Sequence, residues 1–478
     1  MPRRDRNKFV KRGQLIDLDI VDYAFGGKGI ARINNELGNF VLFVPNTLPG
    51  QKVKARVVKA KKKYAECKLI DVLQKSPDEV NLNFHEISGA PYINLPIEKQ
   101  HQYKYTSTMD LFKKIGKVTD IEDYFDQFVS SPNLFHYRNK MEYSFANRRW
   151  LTQDEINKDE FVDDSGFAAG MHAPGRFDKI LNLNECHLQR KESFEILDFV
   201  RNYCVKHDIP PFDAMKHEGF MRHLMIRNSY HTDDFMVNLV TYQDDEELIK
   251  KLSDELLEQF PIITTIVNNI NDTKSPTSIG RIEKVIFGPG FIVDKIGNHT
   301  FKIHPNAFFQ TNTAQAERLY EVAREYADLQ DGEIVYDLYC GVGTLSLFMS
   351  QKAEKVLGIE LVEVAVENAK FNAKENNVDN VSFIKGDMKD VFTEEMVNTF
   401  GAPDVLITDP PRAGMHPDVV KRLKELKVPK LVYVSCDSST MARDLKELDE
   451  VYEIIEVQPV DMFPQTYHVE AVAKLRLR

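Results

Sequence analysis

Apolar and polar residues in the second half of the chain follow a regular alternation of strand-like and helix-like segments. From about residue 305, short runs rich in Val, Ile, Leu and Tyr are separated by longer amphipathic stretches. The strand-like runs are "EIVYDLY", "KVLGIEL", "VSFIKGD", "PDVLITDPP", "KLVYVSC", "YEIIEVQPVDMF" and "HVEAVAKLRL". This alternation predicts an α/β fold over residues 301–478, a Rossmann-like parallel sheet with helices on both faces, and ligands bound beyond the carboxyl ends of its strands.

The first 75 residues show a different pattern, in which short alternating strands are separated by Gly and Pro. Strand-like segments at this spacing between residues 14 and 73 predict a small β-barrel. Barrels of this kind bind nucleic acid on an exposed face, using Lys and Arg for phosphates and aromatic rings for bases. Four aromatic residues of this region are suited either to that role or to the core: Tyr23, Phe25, Phe43 and Tyr64.

Residues 76–300 lack a clear periodicity and are predicted only as a central α+β region. Helical stretches are expected near residues 98–129 and 245–259. Six basic residues of this region are suited either to phosphate contact or to simple solvation: Arg138, Lys140, Arg148, Arg149, Arg222 and Arg227.

Charge is distributed unevenly along the 478 residues. Residues 1–75, which include a basic N-terminal arm, hold 17 Lys and Arg against 7 Asp and Glu, whereas the whole chain has a net charge of −11. A basic lobe on an acidic body indicates a module that binds a polyanion. The alternative is a basic face that is merely solvated.

No apolar run approaches the roughly 18 residues that span a bilayer, and the basic start of the chain leads into no apolar signal core. We therefore expect a cytoplasmic protein without membrane association. Its cysteines are odd in number and far apart, which fits neither a disulfide framework nor a CxxC metal site, so we expect reduced thiols. They are Cys67, Cys186, Cys204, Cys340 and Cys436.

A Gly-x-Gly turn follows the first predicted strand of the α/β region, in "VYDLYCGVGTLSL". Gly341 and Gly343 would let a ligand approach the backbone, although this pair alone is a weak signal. Ser346 stands where the dinucleotide fingerprint has its third glycine, which argues against a nicotinamide cofactor. Glu360 and Asp387 follow the next two strands, and this order suits S-adenosylmethionine. Both acidic residues are equally suited to capping the helices that follow.

The next two strand ends carry candidate chemistry. In "VLITDPPRAG", Asp409 precedes two prolines that fix the backbone. Amino-group methyltransferases follow a similar Asp-Pro-Pro with an aromatic residue, and Arg412 at that place argues against methylation of an exocyclic nitrogen. In "YVSCDSST", Cys436 is suited either to nucleophilic chemistry or to an inert position after a core strand, and the residues after it are expected to begin a helix.

The motifs DLYCGVGT, DPPR, VSCDSST and HVEAVAKL together resemble, in this order, those of the RNA uracil-C5 methyltransferase family, which forms 5-methyluridine. "NAFFQTNTAQAERLY" and "YRNKMEYSF" fit the same family. Residues 14–73 are similar to a TRAM domain, the OB-like RNA-binding barrel at the front of its ribosomal members. The resemblance covers nearly the whole chain. It implies a TRAM-like barrel over residues 1–75, a central RNA-binding region over 76–300, and an S-adenosylmethionine-dependent methyltransferase domain over 301–478.

The resemblance also implies roles for individual residues. Carbon 5 of uracil is a poor nucleophile, so a nucleophile must first add to carbon 6. By resemblance Cys436 is that nucleophile, and an ordinary cysteine pKa of about 8.5 would provide some thiolate near neutral pH. Glu470 of "HVEAV" would remove the carbon 5 proton, while Gln310 and Asp409 would lie between cofactor and uracil. The residues expected to bind the cofactor are Gln310, Tyr339, Gly341, Glu360, Asp387 and Asp409.

One departure from the family concerns iron. Many members hold an iron–sulfur cluster with three closely spaced cysteines after the barrel and a fourth in the central domain. The corresponding stretch here, "NLNFHEISGAPYINLPIEKQ", contains no cysteine, and only Cys186 lies where a fourth ligand is expected. One thiol cannot replace about four, so we expect no iron–sulfur cluster.

The leading hypothesis is therefore a monomeric enzyme that makes 5-methyluridine in RNA, with 23S ribosomal RNA as the expected target because the tRNA-specific branch usually lacks the barrel. A tRNA uracil-C5 methyltransferase is the alternative with the same chemistry. A non-catalytic RNA-binding or ribosome-assembly factor is the alternative from another class, although the expected nucleophile, base and cofactor positions are all present.

Overall fold

The strands of the chain form three sheets and one separate hairpin. The computed structural model describes residues 9–35, 38–80, 89–151, 155, 158, 160–173, 178–183, 185–388, 390–391 and 393–478. The predicted basic arm falls largely in residues 1–8, which lie outside the described residues. Among the described residues, no helix combines the length and the apolar character that crossing a membrane requires.

The first sheet forms the predicted N-terminal β-structure. Alternate residues of its fourth strand point into a common core, as the side-chain alternation of a strand requires: Phe40, Leu42 and Val44 are buried. The strand order is β1-β5-β6-β4-β3-β2. The strands are β1 (Leu15–Asp19), β2 (Asp22–Ala24), β3 (Lys28–Asn35), β4 (Gly38–Pro45), β5 (Lys52–Ala60) and β6 (Tyr64–Gln74).

The aromatic residues of this sheet divide between core and surface. Tyr23 is buried and stacks at 4.7 Å on Tyr92, outside the sheet. Phe43 and Tyr64 are half-buried and make an edge-to-face pair at 5.8 Å. This pair therefore remains available for contact with bases, and Tyr23 does not.

The central sheet has seven strands in the order β13-β12-β11-β10-β7-β8-β9. All neighbours are antiparallel except β11 and β12. Two helices cover its apolar face, α2 (Lys191–Lys206) and α3 (Glu246–Gln259), and α3 lies where the sequence predicts it. The strands are β7 (Lys140–Arg148), β8 (Ser165–His172), β9 (Ile180–Asn182), β10 (Met221–Asn228), β11 (Phe235–Thr241), β12 (Thr265–Ile270) and β13 (Ile282–Phe287).

The helix expected near residues 98–129 is shorter than predicted. Helix α1 (Ile97–Leu111) continues as a π-helical turn to Gly116 and ends at Lys117, whose φ of 63° is left-handed. A 3-10 turn follows, and Phe125 and Val129 then form bridges to Val457 and Val460 in the C-terminal sheet. The prediction was wrong beyond residue 116 because Gly116 and the β-branched residues after it disfavour helix, and because a strand edge was available to pair with this segment.

The third sheet has seven strands in the order β18-β17-β16-β19-β20-β22-β21. Helices cover both faces, as the alternating pattern predicts. The strands are β16 (Ile334–Leu338), β17 (Lys355–Glu360), β18 (Val381–Lys385), β19 (Val405–Thr408), β20 (Lys430–Ser435), β21 (Tyr452–Val460) and β22 (Glu470–Leu477). The helices are α4 (Thr313–Ala327), α5 (Thr344–Met349), α6 (Glu363–Glu375), α7 (Glu394–Phe400), α8 (Pro417–Leu426) and α9 (Ser438–Leu448).

All strands of this sheet run in the same direction except β22, the last strand in the sequence. Strand β22 runs antiparallel to both β20 and β21, because the nine residues between β21 and β22 are too few for a helical crossover. The first residue of β22, rather than its last, therefore lies at the edge where the parallel strands end. A hairpin of β14 (Ile292–Ile296) and β15 (His299–Ile303) packs into the core of the same unit.

Candidate active site

Register places the predicted catalytic residues at neighbouring strand ends. Ser435 of β20 pairs with Ala471 of β22, so Cys436 and Glu470 are the next residues on two adjacent strands. On the other side of β20, Thr408 of β19 pairs with Tyr433. Asp409, which follows Thr408, therefore lies at the same edge. Residues more than 60 positions apart in the sequence meet because of this strand order.

Local geometry presents Cys436 in a short loop before a helix. Asp437 is the N-cap of α9, and its side chain accepts hydrogen bonds from the backbone N–H groups of Ser439 and Thr440. The helix that the sequence predicts after the cysteine therefore begins at Ser438. Cys436 is half-buried, in contrast to the other four cysteines, which are buried.

Acidic neighbours dominate the electrostatics around this thiol. Burial raises the pKa of Asp409 to about 7, and burial together with Asp409 raises the pKa of Glu470 to about 8. Burial, and then the charges of Glu470 and Asp409, raise the pKa of Cys436 to about 11. The thiol is thus a weaker acid than the ordinary cysteine that the sequence argument assumed, because it shares a desolvated corner with two carboxyl groups.

Arg412 is the cation that opposes these effects. It is exposed in the loop after β19, and its charge lowers the pKa values of both Cys436 and Glu470. Its backbone carbonyl accepts a hydrogen bond from Thr440 Oγ1 at 3.3 Å, which ties the loop to the start of α9. The sequence argument used this residue only to exclude other chemistry.

The glycine turn lies beside this corner, at the end of β16. Tyr339 and Gly341 both have left-handed φ values, 64° and 55°. A side chain at Gly341 would meet no atom within 4 Å, whereas a Cβ at Gly343 would lie 2.7 Å from the Phe383 ring. The turn is therefore open to a ligand at its first glycine and packed against the protein at its second.

Glu360 closes one side of this turn. Its carboxylate accepts hydrogen bonds from Gly341 N at 3.1 Å and Val362 N at 2.9 Å. Leu361 and Val362 beside it are each 57% exposed, which provides apolar surface for a flat ring. Asp387, two residues beyond the end of β18, is half-buried and close enough to Tyr339 to raise its pKa.

Asp337 was missed by the sequence reasoning. It is buried, and burial raises its pKa to about 7. Ser346 Oγ donates to its Oδ2 at 2.5 Å, while Oδ1 is buried without a hydrogen-bond partner among the described residues. An unsatisfied carboxylate oxygen beside an open glycine turn fits a cationic or hydrogen-bonding ligand such as S-adenosylmethionine. The sequence signals were an acidic residue within the apolar run "VYDLY" and its place as the first residue of DLYCGVGT.

Gln310 is almost buried in the segment that leads into α4. Asn139 Nδ2 donates to its backbone oxygen at 2.7 Å, and Arg227, which is buried, donates to Pro305 O and Ala307 O in the same segment. The central sheet therefore holds the Gln310 segment in place.

Tyr320 of α4 connects the glycine turn with the acidic corner. Its hydroxyl lies 3.0 Å from Thr344 Oγ1, and burial together with Asp409, Asp337 and Glu470 raises its pKa. Tyr320 is a second site residue to which the sequence reasoning gave no role, although it closes the motif "NAFFQTNTAQAERLY".

Within the part of the chain that the structure describes, no group of three or more His, Cys, Asp or Glu side chains is arranged to hold a metal ion. Cys186 is buried and unpaired with any other cysteine. The absence of an iron–sulfur cluster stays a prediction, which iron and labile sulfide analysis of purified protein would test.

Comparison with known proteins agrees with this geometry. The family model for tRNA (uracil-5-)-methyltransferase matches residues 278–477, and the TRAM domain model matches residues 10–70. Uncharacterised RNA methyltransferases of Bacteroides thetaiotaomicron and Chlorobaculum tepidum are 40% and 36% identical, over 95% and 97% of this chain and 99% and 96% of their own lengths.

A solved structure extends the likeness to the whole fold. The tRNA (uracil-54, C5)-methyltransferase of Pyrococcus abyssi, in complex with S-adenosyl-L-homocysteine, is 29% identical with a TM-score of 0.74. The match covers 96% of this chain and 100% of that one. The protein described here is thus an RNA uracil-C5 methyltransferase that uses S-adenosylmethionine, and with its N-terminal TRAM domain the chain belongs to the tRNA (uracil-5-)-methyltransferase family.

Proposed function

We propose that this enzyme methylates carbon 5 of a uridine in 23S ribosomal RNA through a covalent bond between Cys436 Sγ and carbon 6 of the base, with Glu470 removing the carbon 5 proton. The observation that carries the proposal is the adjacency of Cys436 and Glu470 at paired strand ends, beside an open glycine turn. A nucleophile and a base on the same small area of surface are what this reaction requires.

The steps balance as follows. The Cys436 thiolate forms a bond to carbon 6, and the electron pair of the C5–C6 double bond moves onto carbon 5 and oxygen 4. Carbon 5 would then take the methyl group from the sulfonium of S-adenosylmethionine, whose S–CH3 bond would break to leave the neutral thioether S-adenosylhomocysteine, and carbon 5 would carry both a methyl group and a proton. Glu470 accepts that proton, the C5–C6 double bond re-forms, and the C6–S bond breaks to release the thiolate.

Side chains around the glycine turn would hold the cofactor. S-adenosylmethionine supplies an electrophilic methyl group on a positively charged sulfur. Glu360 would accept hydrogen bonds from ribose hydroxyls, and Asp387 from an adenine amino group. Tyr339 and Gly341 would line the turn, while Gln310 and Asp409 would face both cofactor and uracil. The exposed Leu361 beside Glu360 supports an adenine ring at this place.

The reaction requires two groups with raised pKa values, Glu470 and Cys436, to be deprotonated. Glu470 must be a carboxylate to accept a proton, and Cys436 must lose its proton to attack. Both conditions are opposed by burial and by Asp409 and favoured by Arg412. We propose that Arg412 acts as the positioning cation that helps the thiolate to form.

We propose that the barrel at residues 1–75 and the central region at residues 76–300 bind the RNA. The methyltransferase unit at residues 301–478 would carry out the reaction. The base must leave its stack to reach Cys436. We further propose that the enzyme acts as a monomer in the cytoplasm. Sedimentation of the purified enzyme would check its oligomeric state.

Transfer RNA is the second candidate target. The barrel supports ribosomal RNA by resemblance, yet the P. abyssi protein, described as acting on uracil 54 of tRNA, aligns with 96% of this chain. The barrel therefore does not by itself separate the two targets.

Nucleoside mass spectrometry of 23S rRNA and tRNA from a deletion strain separates the two candidates. We expect 5-methyluridine to disappear from a defined 23S position and to return with the wild-type gene but not with Cys436→Ala. Loss from tRNA alone would replace the ribosomal target with the second candidate. Restoration by Cys436→Ala would remove this residue from the mechanism.

A further inference from the structure

A cavity of about 300 Å³ lies on the central sheet, outside the candidate active site. It opens between the end of β7, residues 212–216 and the loop at 274–276. We propose that this cavity binds an unpaired nucleotide of the RNA substrate, distinct from the target uridine, an inference that rests on the proposed function. Its volume is at the lower end of that of small-ligand sites.

The cavity and the residue that holds the segment before Gln310 lie on one face of the central sheet. Cross-strand pairing places Lys140 with Arg227 and Ser144 with His223, so these four side chains lie on the same face. Arg227 donates to Pro305 O and Ala307 O in the segment that leads to Gln310. Four residue steps of strand separate Arg227 from His223 in the cavity wall, a distance of about 13 Å. An RNA strand crossing this face can reach both sites.

Two flat side chains, those of Phe212 and Arg222, line the cavity, and Tyr242 neighbours Arg222 outside its lining. The guanidinium of Arg222 lies 4.2 Å from the centroid of Phe212 and 6.0 Å from that of Tyr242. Unpaired bases in RNA complexes stack on aromatic rings and on arginine planes of this kind. The wall therefore has the chemistry of a base-stacking surface.

Arg222 is also a buried cation, and no carboxylate among the residues that the structure describes forms an ion pair with it. Its hydrogen bonds go to backbone oxygens of Asn271, Thr273 and Ser275, and its Nε is buried without a partner among the described residues. Burial lowers its pKa. A desolvated charge balanced only by carbonyl dipoles is costly, and an anionic ligand would offset that cost.

Polar and basic groups complete the site. The Ser144 hydroxyl lies 3.1 Å from His223 Nδ1, and Asn147 Nδ2 donates to Asp213 Oδ2 at 2.8 Å, so donors and acceptors both line the cavity. Lys274 is exposed in the cavity wall. Base edges require the first kind of group and phosphates the second, which together indicate a nucleotide rather than a neutral metabolite.

Ultraviolet cross-linking tests the site directly. Full-length Cys436→Ala enzyme is irradiated with deproteinised 23S rRNA, or with bulk tRNA in a second arm, then digested with nuclease and protease. We expect nucleotide adducts on peptides that contain residues 212–216 or 271–276. Recovery of these peptides unmodified, while peptides of the barrel and of the 436–440 loop carry adducts, would overturn the proposal.

A second test compares the salt dependence of RNA binding between two matched lysine variants. Lys274→Ala should reduce the slope of log affinity against log salt concentration by about 1, as expected for one lost phosphate contact. Lys355→Ala, at the opposite edge of the methyltransferase sheet and also exposed, should leave the slope unchanged. An unchanged slope in Lys274→Ala would contradict the inference.

These experiments distinguish a failure of the proposed reaction from a failure of the proposed nucleotide site. An enzyme that cross-links through the cavity but forms no 5-methyluridine in either RNA would refute the proposed reaction and leave the nucleotide site intact. An enzyme that methylates 23S rRNA but shows neither cavity adducts nor a changed slope would refute the site alone.

Discussion

Three titratable side chains lie close together at one edge of the methyltransferase sheet. Asp409, Glu470 and Cys436 have pKa values raised to about 7, 8 and 11, in each case with burial as the largest cause. At neutral pH the resting site therefore retains protons that the reaction must remove. Positive charge favours their removal, and within this chain Arg412 lowers the pKa values of both Cys436 and Glu470.

The pH dependence of turnover follows from these shifts. Glu470 and Cys436 both act only when deprotonated, so the methylation rate should rise steeply below about pH 8 and should continue to rise, by about tenfold per pH unit, above it, because the pKa of the thiol is raised to about 11. Single-turnover methylation measured from pH 6 to 9 provides the profile. A rate that is flat between pH 6 and pH 8 would mean that neither raised pKa controls the reaction.

Stability should respond to pH in the opposite direction. A carboxyl group whose pKa is raised on folding keeps its proton in the folded state while the unfolded chain loses it above pH 4 to 5, so its contribution to stability falls as pH rises toward 8. Glu470→Gln removes this loss. We expect it to increase the free energy of unfolding at pH 8 on the order of 2 kcal/mol, with a smaller gain at pH 5.

Chemical or thermal unfolding of the variant at the two pH values checks this expectation. Glu447→Gln is the control, because Glu447 is exposed on α9 and should give no pH-dependent gain. A Glu470→Gln variant that is less stable than wild type at pH 8 would show that the carboxylate is stabilised in the folded protein.

At the scale of single residues, the sequence predicted which side chains form the candidate site better than it predicted their burial and their charged neighbours. Cys436, Asp409 and Glu470 stand in recognisable motifs, and the structure places them at one edge. The raised pKa of the thiol and the positions of Tyr320 and Asp337 at the site were not predicted, although both residues stand in quoted motifs. Both depend on which strand ends are neighbours, and strand order is a property of the fold rather than of any local pattern.

The element that sets the position of Glu470 is the segment between β21 and β22. Gln100 of α1 makes two hydrogen bonds to Gln465 in this segment, and Lys104 Nζ lies 2.6 Å from Asp461 Oδ1. Tyr137 also donates to Pro464 O at 2.9 Å. Parts of the chain more than 320 residues earlier thus hold the loop that leads to the catalytic base.

The barrel touches the same loop through a glycine. Gly27, between β2 and β3, has a φ of 75°, and a Cβ there would lie 2.8 Å from Tyr467 Cγ, closer than nonbonded carbons approach. Gly27→Ala should displace the barrel or the loop and reduce kcat for RNA methylation several-fold, with thermal stability measured in parallel.

Gly26→Ala is the matched control for that experiment. Its φ of 85° imposes a similar backbone strain, but its Cβ would meet no atom within 4 Å. Equal loss of kcat in the two variants would mean that strain in the turn, rather than contact with Tyr467, causes the effect.

Sequence patterns identified most elements but not their directions. Alternation and Gly or Pro punctuation were enough for the barrel strands and for the α/β segments. The antiparallel direction of β22 and the early end of α1 at residue 111 were not predicted. The direction of β22 follows from the short connection after β21, and the end of the helical segment follows from Gly116, the β-branched residues after it and pairing with a distant strand edge.

Across the whole molecule, the regions proposed to bind RNA also hold the catalytic loops. The barrel contacts the segment before Glu470 through Gly27, and the central sheet contacts the Gln310 segment through Asn139 and Arg227. RNA binding to either region can therefore alter the geometry of the active site without a separate switch. Composition and motifs predicted the three kinds of unit, but this docking depends on tertiary contacts that no motif encodes.

The covalent intermediate provides the most direct test of the central claim. Glu470→Gln enzyme is incubated with S-adenosylmethionine and unmethylated 23S rRNA, digested with nuclease and protease, and analysed by mass spectrometry. We predict that the peptide containing Cys436 carries a methylated uridine nucleotide, because the carbon 5 proton is not removed and the C6–S bond does not break. Release of RNA containing 5-methyluridine, with the Cys436 peptide unmodified, would contradict the account.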